Sequence, residues 1–184
     1  MKVEVTLESA HRLINHGCVI LVTSALGERR NVMTVAWQTP LSARPPLVGV
    51  SIATGHLSHE FIDASGEFAV NVPGVDLLSK VHLCGTVTGR KLDKFEKAGL
   101  TPVPARKIKA PLIEECLAHL ECRVVARHPV GDHTLFVGQV VAATVQPELF
   151  SDYWKDLPEA ATIHHLGGNR YYLSGIRREV SHGD

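Results

Sequence analysis

Two long stretches with the character of β-strands, separated by a short turn, constrain the fold of this chain more than any other feature. Apolar and polar side chains alternate in residues 117–127, whereas residues 134–145 are apolar on both faces. Gly131 and Asp132 mark the turn between them. Alternation with a period of two is typical of an antiparallel strand with one wet or interface face. The second stretch suits a strand buried between a barrel interior and a partner subunit.

The rest of the chain shows short strands with short helices between them. Further strands are predicted at residues 18–25, 31–39, 47–53, 67–73 and 171–176, and helices at 56–64, 75–83 and 93–98. About six or seven strands without βαβ alternation predict an all-β or α+β barrel rather than a doubly wound sheet. No G-x-G-x-x-G motif follows a strand, so a Rossmann-type dinucleotide site is not expected.

Composition limits the compartment and the partners. The 184 residues fit one domain, 1–184, and the formal net charge is zero, which leaves no basic field for nucleic acid or an anionic membrane. No segment approaches the roughly 20 apolar residues of a membrane span, and residues 1–11 lack the apolar run of a signal peptide. Cys18, Cys84, Cys116 and Cys122 form no C-x-x-C pair. Reduced thiols and a cytoplasmic location are therefore expected.

Four short motifs occur in the order and spacing of one known family. They are NVMTVAWQTPLSARPPLVGVSIATGHLS at 31–58, CGTVTGRKLDKF at 84–95, GDH at 131–133 and HHLGGNRY at 164–171. Together they resemble the flavin reductase-like and flavoredoxin family. The resemblance implies a mainly β (α+β) FMN-binding split β-barrel, an antiparallel Greek-key-type barrel with short helices inserted between strands. It also implies FMN as cofactor, with FAD less favoured, NAD(P)H as co-substrate, and a homodimer with flavin near the interface.

The first motif would supply the strand beside the flavin ring. In the family, backbone groups of the strand matching Asn31, Val32, Met33 and Thr34 address the polar atoms of the flavin, and Trp37 would cover apolar ring surface. The alternative interpretation is an ordinary strand that begins with a turn asparagine and carries a core tryptophan.

The end of the same motif is the expected phosphate site. Hydroxyl groups and unsatisfied N–H groups at a helix N-terminus favour an anion. The residues concerned are Ser51, Ile52, Ala53, Thr54, Ser58 and His59, with Ser58 and His59 the preferred ligands. The alternative is that Thr54 and Ser58 only cap the helix. His56 and His59 are spaced i, i+3, but no third ligand accompanies them, so no metal site is predicted.

The second motif resembles the [ST]-G and D-K-F elements of the family. Its predicted cofactor-binding residues are Cys84, Gly85, Thr88, Gly89, Lys94 and Phe95. The resemblance implies that hydroxyl and backbone N–H groups approach the cofactor and that Lys94 neutralises phosphate charge. Gly89 allows the backbone to come close. The alternative is a solvated amphipathic helix, which accounts for Lys91 and Lys97 but not for the adjoining CGTVTG loop.

Two histidines complete the predicted site. In the family, the histidine that matches His133 faces the open side of the flavin ring, where a nicotinamide or an acceptor stacks, and His165 lies near the flavin. His133 is therefore the predicted catalytic residue. Local turn structure is the alternative for both.

These residues favour an NAD(P)H:flavin oxidoreductase that passes electrons on to an acceptor. Hydride transfer between stacked rings requires little acid–base machinery, because the flavin supplies the redox chemistry. Two alternatives remain open: a flavoredoxin-type FMN electron carrier that does not oxidise NAD(P)H itself, and a split-barrel module that binds another cofactor.

Overall fold

A computed structural model describes residues 17–175 of the chain. Ile176, the last residue of the final predicted strand, and the N-terminal residues 1–11 lie outside the described part. The described helices are α1 (Leu57–Ser65), α2 (Leu78–Thr86) and α3 (Lys94–Ala98). The described strands are β1 (Ile20–Leu26), β2 (Arg29–Val35), β3 (Gln38–Ala43), β4 (Pro46–Ala53), β5 (Glu67–Val72), β6 (Pro102–Val103), β7 (Leu112–Ile113), β8 (Ala118–Val130), β9 (His133–Val145), β10 (Ile163–Gly167) and β11 (Arg170–Leu173).

Seven strands form one antiparallel sheet in the order β2-β1-β5-β8-β9-β4-β3. The predicted long hairpin is its centre: β8 and β9 pair over almost their whole length around Gly131 and Asp132. The pairs β6–β7 and β10–β11 form two small separate sheets. The mainly β, split-barrel architecture predicted from the sequence is confirmed.

The path of the chain explains why the sheet curves. Strand β2 lies at one edge of the sheet and β3 at the other, yet only Ala36 and Trp37 separate them in sequence. Three peptide units place the Cα atoms of Val35 and Gln38 at most about 11 Å apart. The two edges must therefore approach each other. The Ser51 N–H donates to the Trp37 carbonyl oxygen at 2.9 Å and so extends the β3–β4 pairing to the link. The predicted continuous strand 31–39 is broken here.

Hydrophobic side chains form two main clusters, one on each face of the sheet. Ile20 and Val22 of β1 point into the barrel with Phe68 and Phe136. Leu21, between them in sequence, points to the opposite face, where helices α2 and α3 pack. The inner cluster consists of Ile20, Val22, Val35, Val50, Ile52, Ile62, Phe68, Val70, Cys122 and Phe136. Burial on both faces explains why β1 lacks clean alternation.

Helix ends follow the predicted signals. Gly66 and Gly99, in the left-handed region at φ 71° and 60°, end α1 and α3 and satisfy carbonyl groups of the last turns. The Asp93 carboxylate caps α3 by accepting from the Phe95 and Glu96 N–H groups. In the sequence, these two glycines follow the ends of the helices predicted at 56–64 and 93–98.

One face of β8 differs from the expectation. The alternation predicted for residues 117–127 places Glu121 on the polar face, but its side chain is buried and accepts from the backbone N–H groups of Arg106 and Lys107 at 3.0 and 2.6 Å. A loop therefore covers this part of the strand, and the carboxylate anchors it. Between residues 17 and 175, no helix has the length and apolar character needed to span a membrane.

Candidate functional site

Two adjoining cavities run along the seam of the barrel and form one groove. The large cavity has a volume of about 320 Å³ and the small cavity about 170 Å³. The large one is lined by Met33, Thr34, Val35, Ala36, Trp37, Ser51, Ile52, Ala53, His56, His133, His165, Gly167 and Gly168. The small one is lined by Asn31, Met33, His56, Leu57, Ser58, Gly85, Thr86, Val87, Thr88, Gly89 and Lys94. All four sequence motifs contribute to this groove.

The wall of the small cavity is made by close contacts between three separate segments. Asn31 at the start of β2 is buried and donates through Nδ2 to the Ser58 hydroxyl of α1 at 2.8 Å. A Cβ atom on Gly89 would lie 2.0 Å from Asn31 Oδ1, so only glycine fits there. The first turn of α1 also presents backbone N–H groups that no preceding helical turn accepts. These groups are donors suited to an anion.

Lys94 brings a buried cation to the same cavity. Its side chain is 7% exposed, and Nζ donates to the Cys84 carbonyl oxygen at 2.7 Å. Burial lowers the pKa of Lys94. The neighbouring Cys84 does not compensate, because burial raises the pKa of its thiol to about 11 and leaves it neutral at pH 7. Within residues 17–175, no carboxylate forms an ion pair with Lys94. A bound phosphate would supply the missing negative charge.

The large cavity has an aromatic and open mouth. The Trp37 and His133 rings lie 4.8 Å apart between centroids, tilted by 34°, and Trp37 is 40% exposed. His133 Nδ1 lies 2.6 Å from the exposed Asp132 carboxylate, and this hydrogen bond lowers the pKa of Asp132. With Nδ1 engaged, Nε2 is the ring nitrogen left to meet a ligand. A planar ring system fits these aromatic surroundings better than a second anion does.

Other predicted residues complete the walls of the large cavity. The Thr34 hydroxyl donates to the Val81 carbonyl oxygen at 2.5 Å, which turns it away from a ligand. His165 lies across the groove and bonds through Nε2 to the Gly168 carbonyl oxygen at 3.0 Å. Ser51, Ile52 and Ala53 also line this cavity. β4 runs along the wide part of the groove, so these three residues lie there rather than beside the small cavity, and their place at the phosphate end stays a prediction.

Five predicted residues do not line either cavity. Val32, Cys84 and Phe95 are buried in the cluster beneath α2 and α3. The His59 ring instead bonds to the Thr134 hydroxyl at 2.8 Å and packs edge-on against Phe136. Thr54 is exposed, and its N–H and hydroxyl both donate to the Asp132 carbonyl oxygen. Any contact of Val32 or Cys84 with a ligand is therefore through the backbone.

The capping alternative for α1 is also corrected. The N-cap residue is His56, whose side chain makes no capping hydrogen bond, so neither Thr54 nor Ser58 serves that role. His56 is the main lining residue that the sequence motifs do not single out, although the onset of the predicted helix at His56 to His59 is placed at the phosphate end. It lines both cavities. Its position directly before the helix start was the available signal. In the part of the chain that the structure describes, no cluster of three or more metal-ligating side chains occurs.

In this antiparallel split barrel, a small cavity with groups suited to an anion adjoins a wider cavity with an aromatic rim. This combination is typical of flavoproteins. The model of the flavin reductase-like domain family matches residues 12–160. The chain belongs to this family.

Several known proteins are similar in sequence or structure. An NADH-dependent FAD reductase of Streptomyces globisporus is 31% identical over 130 residues, which cover 70% of each chain. The flavoredoxin of Methanosarcina acetivorans superposes with a TM-score of 0.85 at 27% identity, over 98% of this chain and 95% of that one. An FMN-binding protein of Thermus thermophilus, with bound 1-cyclohex-2-enone, has a TM-score of 0.85 at 25% identity, with 98% of each chain covered. The family and these relatives support a flavin-related redox function.

Proposed function

We propose that this protein binds FMN in the groove and catalyses electron transfer from NAD(P)H through the flavin to an acceptor. The observation that carries the proposal is Lys94, a buried cation without a carboxylate partner in the described chain, at the closed end of a groove that opens beside Trp37 and His133. A phosphate at one end and a planar ring at the other match FMN. NADH and NADPH are both candidate donors.

Each part of the groove has a defined task in this proposal. Bound FMN would supply the redox chemistry, the acceptance of a hydride from NAD(P)H and the passage of two electrons to an acceptor, while the residues of the groove bind and orient it. Lys94, Ser58 and Thr88 hold the phosphate, and the backbone of β2 meets the polar edge of the ring. His133, oriented by Asp132, stands at the open mouth, where its free Nε2 positions the incoming donor.

An FMN electron carrier is the second candidate function. The likeness to the Methanosarcina acetivorans flavoredoxin supports it, whereas the likeness to the Streptomyces globisporus reductase supports the enzyme. Carrier and enzyme need the same cofactor site and differ in whether NAD(P)H reaches the ring. The exposed mouth at Trp37 favours the enzyme, because a nicotinamide needs an open flavin face.

Two measurements test the proposal. Flavin released by denaturing the purified protein is identified by chromatography as FMN, FAD or neither; a protein that neither carries nor takes up flavin contradicts both candidate functions. The loaded protein is then mixed anaerobically with NADH and with NADPH in a stopped-flow instrument. Rapid loss of the visible flavin absorbance supports the oxidoreductase, and flavin that stays oxidised with both donors supports the carrier.

We also propose that the protein is a homodimer with the groove near the interface. The β8–β9 hairpin exposes large apolar side chains, among them Val125 and Val130, which are 53% and 51% exposed. A second copy of the chain would cover such a surface. Sedimentation equilibrium at micromolar concentration tests this, and a stable monomer would overturn it.

A further inference from the structure

The two cavities of the groove meet at two shared side chains, which form the passage between its ends. Among residues 17–175, only Met33 of β2 and His56, at the start of α1, belong to the lining of both cavities. A ligand that places its phosphate beside Lys94 and its ring beside Trp37 must pass between them. In FMN, the segment in between is a polyol chain with several hydroxyl groups.

Hydroxyl groups that leave water need hydrogen-bond partners. Met33 offers only a thioether sulfur, which is a weak acceptor. His56 has two ring nitrogens, and within residues 17–175 no hydrogen bond engages its side chain. Its backbone, in contrast, is fixed: the N–H donates to Ala53 and the carbonyl oxygen accepts from His59, both at 3.1 Å. The backbone of His56 is therefore fixed, and its exposed imidazole lines both cavities with its polar atoms available.

Charge around His56 favours its neutral form. Partial burial, followed by the positive charges of Lys94, His133 and His59, lowers the pKa of His56. A neutral imidazole has one donor and one acceptor nitrogen. This pair matches a hydroxyl group, which both donates and accepts.

We propose that His56 is a flavin-binding residue that holds the polyol chain between phosphate and ring. The inference rests on the proposed function, since it assumes that FMN occupies the groove. His56 then contributes to the binding of any ligand with a ring and a polyol, whether or not it carries a phosphate. Lys94, in contrast, contributes only when the phosphate is present.

The test compares two ligands and three variants. Apoprotein is titrated with FMN and with riboflavin, which lacks the phosphate, and Kd is measured by flavin fluorescence. We expect His56→Ala to raise both Kd values by a similar factor of about tenfold. His56→Gln, which keeps a donor and an acceptor, should recover most of the affinity. Lys94→Met should raise Kd for FMN alone.

The controls distinguish a failure of the role proposed for His56 from a failure of the proposed function. His128→Ala removes an exposed histidine that lines neither cavity and should leave both Kd values unchanged. Circular dichroism of each apoprotein checks that the fold is retained. A His56→Ala protein whose Kd changes for neither ligand, or for FMN only, overturns the role of His56. Wild-type protein that binds neither FMN nor riboflavin contradicts the proposed function instead.

Discussion

The small and large cavities are built in opposite ways. Around the small cavity, the polar side chains are buried and bonded across elements: Asn31 is 4% exposed and Lys94 7%. At the mouth of the large cavity, Trp37 is 40% exposed and the side chain of His133 bonds to the adjacent, exposed Asp132. A cofactor that stays bound needs a preorganised anchor, whereas a substrate that comes and goes needs an open approach. One groove thus combines a fixed end and an exchangeable end.

The largest loss of FMN affinity at the small cavity is expected from Gly89→Ala. Its Cβ would lie 2.0 Å from Asn31 Oδ1 and 2.8 Å from Asn31 Cγ, so the wall of the small cavity must move. We expect FMN affinity to fall by about a hundredfold, or ~2.7 kcal/mol, measured by fluorescence titration. Gly55→Ala is the control, because a Cβ there meets nothing within 4 Å. If the clash is the cause, Gly89→Ala/Asn31→Ala binds FMN more tightly than Gly89→Ala alone.

Replacing Lys94 with methionine should separate stability from binding. The buried ammonium lacks a carboxylate partner among residues 17–175, so we expect Lys94→Met to raise the free energy of unfolding of the apoprotein by about 1 kcal/mol. FMN affinity should fall at least about tenfold, since a charge-assisted hydrogen bond to phosphate is lost. Urea unfolding and FMN titration check the two effects. Lys97→Met, exposed on the same helix, should change neither. Unchanged FMN affinity in Lys94→Met would contradict the assignment of the phosphate site to the small cavity.

At the open end, His133→Ala should affect catalysis and spare the cofactor. The imidazole lies at the mouth, away from Lys94 and the small cavity. We expect FMN to remain bound and the rate of reduction by NAD(P)H to fall by about tenfold, or ~1.4 kcal/mol in the barrier. Anaerobic stopped-flow absorbance measures this rate. Loss of FMN with an unchanged rate in the retained fraction would return His133 to a purely structural role in the turn.

The smallest expected effect belongs to Thr54→Val. The Thr54 hydroxyl makes an exposed 3.4 Å hydrogen bond to the Asp132 carbonyl oxygen, and the backbone N–H keeps its own bond to that atom. Stability should change by less than about 0.5 kcal/mol, and FMN affinity should stay within about twofold. Thermal unfolding and FMN titration provide the values. A loss of affinity as large as that of Lys94→Met would restore Thr54 as a phosphate ligand.

Local sequence signals predicted most of the fold. The alternation in β8, the hairpin turn at Gly131 and the glycine stops after α1 and α3 are properties of neighbouring residues, so one sequence suffices to find them. Strand β3 was predicted only in its first two residues, because PLSA lacks β-branched residues and carries a proline, which marks an edge. Strands β6 and β7 have two residues each and give no periodic signal.

The motifs predicted the segments that line the groove, but not which side chain of each segment faces it. Motifs brought the correct segments together, but a motif does not state which way each side chain points. Phe95 and His59 lie on the buried faces of α3 and α1, where they pack against the core, while Lys94 and Ser58 beside them line the groove. His56 was missed because its role depends on Met33, Lys94 and His133, which are distant in sequence.

The two-residue link between β2 and β3 has a consequence for the order of folding. Its two ends belong to opposite edges of the sheet, so the sheet closes at this link only after the intervening strands, including the long-range β4–β9 pair, have assembled. Pairings between residues distant in sequence form slowly, because the chain loses the entropy of loop closure before the contacts stabilise it. The groove lies along this seam, so we expect competence to bind FMN to appear in the last refolding phase. Quenching of FMN fluorescence that precedes recovery of the native circular dichroism signal would contradict this order.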